Sequence, residues 1–260
     1  MLYRELIKHD IITRLYPLLK KGHCYMNEEG KIVLVRSVEY DSNWIHFQKD
    51  NRRACQYLTD ILFNYIFRRK LVPSTCQNCW KVVVTLNNVR ELFAMYALQK
   101  QLGVNSKCGI EGDRPNTPRL YGAYFYNRSL KEGRDCYKRI KSILESRTEY
   151  ELEVFGNKSK VWFDSDISNR IILKRGCTEM EQACGRSDCW TVTERQKEIE
   201  RMVSEIVVQN EEVCEDYNSP DFQVAYTMRK WIASAYKWGD STYTLFTNGK
   251  PLFPPPVTYN

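Results

Sequence analysis

Apolar and polar positions alternate along the chain with two different periods, and the places where the period changes mark out its elements. Residues 2–20 place Leu2, Leu6, Ile7, Ile11 and Leu15 at helical spacing, which predicts an amphipathic helix. The runs 31–40 and 43–48 read as strands parted by Asp41-Ser42. From Asn51 the helical period returns: Ala54, Tyr57, Leu58, Ile61, Leu62, Tyr65 and Ile66 share one face. That helix runs into Arg68, Arg69 and Lys70, cations that suit a helix C-terminus, and Pro73 prevents its continuation.

The pattern is clearest over the next eighty or so residues. The β-branched run 80–86 predicts a strand. Residues 87–103 predict a helix opened by Asn88 with Glu91 three positions on, a capping box, and closed by Gly103. A second strand is expected over 104–111 and a third over 121–127, with a Pro/Gly loop between them. A helix over 129–147 is capped by Ser129 and Glu132, and a fourth strand is expected over 149–155. This β-α-β-β-α-β order is the split-βαβ, ferredoxin-like arrangement. Right-handed crossovers then set the strands in the order four-one-three-two, with both helices on one face.

Beyond it lie a turn into 161–164, an ambiguous segment over 167–176, and a helix capped by Thr193 and Gln196. A last helix opens at Ser219-Pro220, and the tail carries an extended proline run at 254–256. The reading is therefore an α+β protein: a ferredoxin-like core over 74–156, an N-terminal helical and hairpin extension over 1–73, and a C-terminal helical extension over 157–260. The apolar stripes of the flanks predict that they pack on the core, giving a single compact domain over 1–260.

Composition narrows the class. At 43% apolar and 27% charged the chain has enough apolar surface for a core and is not compositionally disordered. No run of about 18 apolar residues predicts a membrane span. The N-terminal stretch lacks the apolar segment and cleavage site of a secretory signal, so a cytoplasmic location is expected. In that reducing setting ten cysteines point to metal or redox chemistry before disulfides.

The cysteines sort by position. Cys136 lies in a helix beside its apolar stripe, and Cys55 and Cys214 are isolated in helices; all three read as small buried hydrophobes. Cys24 stands beside His23, but adjacent side chains diverge. Cys76 and Cys79 have the C-x2-C spacing that lets two thiolates converge on one metal or cluster. Cys177, Cys184 and Cys189 form a second group. In the expected sheet the fourth strand ends where the first begins, and the second, bearing Cys108, starts at that same edge. Cys76, Cys79, Cys108, Cys177, Cys184 and Cys189 are thus the candidate ligands.

A thioredoxin-type dithiol follows a strand and opens a helix, whereas this pair precedes a strand. Zinc knuckles turn on a Gly soon after the second Cys, but Trp80 follows Cys79 here, and bulky cover suits a shielded cluster. With only three histidines the site must be mainly thiolate. An iron–sulfur cluster, [4Fe–4S], is therefore preferred, and zinc is the alternative.

The formal charge of +7 permits nucleic acid as a partner. Candidate contacts are Arg68, Arg69 and Lys70, together with Tyr124 and Tyr126, which share one face of the third strand; a packed aromatic strand is expected, and these two tyrosines are the pair that an exposed role would use. Basic residues of the second core helix, Lys131, Arg134, Lys138, Arg139 and Lys141, offer a further track for phosphates. Glu111, Asp113, Asp164, Asp166, Glu179 and Glu181 are available for acid–base work, but no metalloprotease, nucleophile-elbow, P-loop or Rossmann pattern is present. Three functions are expected: a metal-stabilised nucleic-acid binder, an iron–sulfur enzyme with a substrate-accessible iron, and a zinc-stapled assembly component docking a protein partner through its Pro-rich tail.

Overall fold

The computed structural model describes residues 3–21, 24–34, 42–47, 61–68, 71–112, 119–176, 192–209, 219 and 221–252. In chain order its elements are α1 (Tyr3–Lys20), β1 (Cys24–Met26), β2 (Ile32–Leu34), β3 (Trp44–Phe47), a π-helical turn (Leu62–Ile66), a 3-10 turn (Ser74–Asn78), β4 (Trp80–Leu86) and α2 (Val89–Leu102). There follow β5 (Ser106–Ile110), β6 (Tyr121–Asn127), α3 (Leu130–Glu145), β7 (Tyr150–Val154), β8 (Asn157–Val161), a 3-10 turn (Ile167–Asn169) and β9 (Ile171–Arg175). The last are α4 (Glu194–Ile206), β10 (Val207–Gln209), α5 (Asp221–Lys237) and a 3-10 turn (Ser241–Phe246). The protein is α+β with several sheets. The chain divides into two compact units, each drawn from three stretches: 1–39, 50–80 and 175–217, and 40–49, 81–174 and 218–260.

The first unit has a three-stranded sheet, β1-β2-β10. β1 and β2 are antiparallel with Tyr25 opposite Val33, and β10 runs parallel to β2. Ile11 and Leu15 of the α1 stripe are buried with Ile32, Met202 and Val203, whereas Leu6 of the same stripe is exposed. Of the helix expected from Asn51, Ile61, Leu62 and Ile66 are buried, and Arg68 adopts φ 52° just beyond the π-helical turn. Residues 51–60, Arg69 and Lys70 lie outside the described residues.

The second unit holds a five-stranded sheet in the order β3-β5-β6-β4-β9. β4, β6 and β5 are neighbours as the sequence pattern predicts, and both capping boxes form: Asn88 and Ser129 accept the backbone N–H of Glu91 and Glu132. The place expected for strand 149–155 is taken instead by β9. Thr85 N donates to Arg170 O at 3.0 Å and Gly176 N to Cys79 O at 2.8 Å, so β9 runs antiparallel to β4. Residues 150–154 pair locally with 157–161, because Phe155 and Gly156, both at positive φ, close a two-residue hairpin. A short loop costs less entropy to close than a long one, and the local partner wins.

Strand alternation divides the sheet's residues between two faces. Val82 and Val84 of β4, Cys108 of β5 and Ala123 and Phe125 of β6 join Leu92 and Phe93 of α2, Leu144 of α3 and Trp231 of α5 in one core. The opposite face carries Trp44, Val83 and Tyr124 as a separate cluster with Tyr126 against it. Lys81, Lys107 and Glu111 fall on this second face by the same alternation.

Candidate functional site

The C-x2-C pair sits on a turn braced from three sides. Pro73 leads in with an extended backbone, and residues 74–78 form one 3-10 turn closed by Cys76 N to Pro73 O at 2.9 Å and Cys79 N to Cys76 O at 3.1 Å. With three residues per turn, side chains three apart lie one above the other, which places Cys76 and Cys79 on one side. Cys76 is buried and Cys79 half-buried, with Trp80 half-buried next to it.

From α4, Glu200 Oε2 accepts Ser74 N at 2.8 Å and Ser74 Oγ at 2.5 Å. Gln196 Nε2 donates to Val72 O and to Glu200 Oε1, each at 2.8 Å. From the end of β9, the Arg175 guanidinium donates to Gln77 O at 3.0 and 3.1 Å and to Gln77 Oε1 at 2.9 Å. Gly176 N reaches Cys79 O, and the described segment ends there, one residue before Cys177. Cys177, Cys184 and Cys189 lie outside the described residues, as do Cys55, Cys214 and the proline run. Among the described residues no group of three or more His, Cys, Asp or Glu side chains is placed to hold a metal ion.

Cys108 is placed differently from the expectation. It lies in the middle of β5, opposite Ala123 and Ile45, and points into the apolar core. Burial pushes its thiol well above the ordinary value, which disfavours the thiolate that a metal requires. Cys136 is half-buried beside the α3 stripe, and its thiol is also pushed up by burial, against a hydrogen bond with Asn127 and the charge of Arg139.

The second face of the five-stranded sheet carries a buried polar cluster. Lys81 is 0% exposed, Lys107 6%, Glu111 1% and Tyr124 1%. The Tyr124 hydroxyl donates to Glu111 Oε1 at 2.5 Å. Arg119 donates from Nε to Glu111 Oε2 at 3.2 Å, from Nη2 to the Tyr124 hydroxyl at 3.1 Å, and from Nη1 to Thr85 Oγ1 at 3.2 Å. Burial opposes the charge of Arg119, but Tyr124 and Glu111 outweigh it and raise its pKa. Lys81 Nζ lies 5.4 Å from the Tyr124 ring centre; Lys107 Nζ lies 5.5 Å from it and 4.6 Å from that of Trp44. These are cation–π distances, and the rings offset part of the cost of burying the ammonium groups.

In this placement the aromatic strand is packed, as expected. Tyr124 is buried with its hydroxyl engaged, so it offers no open ring for a base, and half-buried Tyr126 stacks on it at 6.4 Å. Arg68 is exposed. Sequence reasoning missed Lys81, Lys107, Arg119, Gln196, Glu200 and Arg175. The period of two in 80–86 already put Lys81 on the face of Val83, a readable signal for the first. Glu200 bonds a residue 126 positions away, and no local pattern announces that.

No protein-family model, no curated protein and no solved structure matches the chain. No helix among the described residues is long and apolar enough to cross a membrane.

Proposed function

We propose that the protein is a thiolate-ligated metal protein in which Cys76 and Cys79 supply half of the ligands and Cys177, with Cys184 or Cys189, supplies the rest. The observation that carries this reading is the hydrogen bond from Gly176 N to Cys79 O. Cys177 follows Gly176 directly in the chain, and adjacent α-carbons stand about 3.8 Å apart, which supports a ligand set that joins Cys177 to the C-x2-C turn. Cys108 is left out because its thiol is set in an apolar core. The sheet that delivers Gly176 is, on this reading, a ferredoxin-like split-βαβ core with 171–175 in the fourth place. An all-thiolate donor set suits either an iron–sulfur cluster or zinc, and Trp80 as bulky cover favours the cluster. Metal binding to a site absent from the unfolded chain is folding energy, so the metal acts as a staple.

Anaerobic purification with visible absorption and iron, sulfide and zinc analysis tests this. Cys76→Ser and Cys79→Ser each lose the metal, and Cys136→Ser keeps it. Glu200→Ala, which touches no thiol but unpins Ser74, lowers metal retention on dialysis against a chelator. Zinc without iron or sulfide replaces the cluster by the zinc staple, and a folded, colourless, metal-free protein ends the proposal.

A further inference from the structure

Helix α3 presents a run of cations on its outer side. Its inward side buries Gly133, Ile140 and Leu144. Lys131, Arg134, Lys138 and Arg139 are exposed and Lys141 is half-exposed. None of the five is in an ion pair or side-chain hydrogen bond within the described residues. Other helices behave otherwise: Arg14 pairs with Asp10 at 2.8 Å, Lys197 with Glu194 at 2.7 Å and Arg201 with Glu205 at 3.5 Å. α3 has carboxylates of its own, but Glu132 is occupied by the Arg128 backbone N–H at 2.7 Å. From 128 to 147 there are seven Lys/Arg against three Asp/Glu, a surplus of four in a chain whose whole surplus is seven.

Lys131, Arg134, Lys138 and Lys141 recur at three, four and three residues, so they form one stripe about 15 Å long. A single strand of duplex DNA carries about four phosphates over that length. The exposed large apolar side chains of the molecule include none from 128–147. An anionic membrane surface is bound by helices that also bury an apolar face, and here that face is already spent on the core. We propose that the outer face of α3 is a docking surface for the phosphate backbone of nucleic acid, read by charge and not by base sequence. This stands independently of the metal.

Fluorescence anisotropy of the full-length protein with a short labelled duplex of arbitrary sequence, across about 50 to 200 mM salt, reads the contact. Binding is expected to weaken steeply with salt. The combined variant Lys131→Gln, Arg134→Gln, Lys138→Gln and Lys141→Gln should bind at least about tenfold more weakly at low salt, with the log–log salt slope flattened by about three to four. Lys197→Gln with Arg201→Gln should change neither. If the combined variant does not fold, each single substitution is read for a slope change of about 0.9. Equal slopes in the wild type and the combined variant overturn the proposal. So does the absence of duplex binding at low salt, or α3-dependent binding to phosphatidylserine vesicles in its place.

Discussion

At the scale of single residues, Gly122 leaves the space that a carboxylate fills. A Cβ there would stand 2.1 Å from Glu111 Oε1. That oxygen belongs to a flexible side chain, but the Tyr124 hydroxyl and the Arg119 guanidinium hold the carboxylate in place. Gly122→Ala is expected to cost about 1–3 kcal/mol by overpacking. Gly109→Ala should cost more, because its Cβ meets backbone, Asn43 O at 2.2 Å, which cannot swing aside. Tyr124→Phe takes a donor from a buried carboxylate and should cost about 1–3 kcal/mol. Urea unfolding measures all three, and Gly109→Ala proving milder than Gly122→Ala would refute the ranking. The sequence shows two glycines in neighbouring strands and, at best, a bulge or a close approach. Which atom approaches depends on pairing across the sheet, so Glu111 reads from sequence only as one acid among several.

At the scale of elements, helix caps were the most legible feature, since their residues are three apart and need no distant partner. Asn88 with Glu91 and Ser129 with Glu132 form as their spacing predicts. Yet Glu91 does more than cap. It is fully buried, accepts Asn87 N at 2.8 Å and Asp164 N at 2.9 Å, and takes both Nη atoms of Arg170 at 2.6 and 2.9 Å. Burial opposes the Arg170 charge, but Glu91 overrides it and raises the pKa. Arg170 comes just before β9, so this pair ties α2 to the strand that occupies the expected fourth place. Glu91→Gln should cost up to about 3–5 kcal/mol, because it strips the half-buried Arg170 guanidinium of its buried counter-charge and leaves it only the exposed Asp166 carboxylate, 2.9 Å from Nη2. A loss below about 1 kcal/mol, the size of a surface pair, would contradict that role. The strand 149–155 itself was legible; its partner was not, since any sheet edge can satisfy its backbone and the adjoining hairpin turn settled the competition.

At the scale of the whole molecule, several buried groups hold their protons more tightly than free side chains do. Tyr121, buried and hydrogen-bonded to Asp240, has its pKa raised strongly, and burial also raises Tyr96 and Tyr150. Above about pH 10 the unfolded chain releases these protons while the native state keeps them. The unfolded state then binds fewer protons, so stability is full below that pH and falls as pH rises, by about 1.4 kcal/mol per pH unit for each such tyrosine. Tyr121→Phe should flatten the alkaline limb of stability against pH by about one proton. Denaturant midpoints taken across that range measure it, and an unchanged slope would exclude Tyr121 as a contributor.

The two units change hands five times along the chain, at 39/40, 49/50, 80/81, 174/175 and 217/218. A stop codon after Lys174 therefore removes the last stretch of both units together, and a start at Lys81 removes the first. No fragment bounded by one cut in the gene encodes either unit alone: 1–217 holds the whole of the first unit but also two of the second's three stretches. For inheritance the reading frame is indivisible: neither unit can be shuffled, lost or acquired by exchange at a single breakpoint without breaking the other.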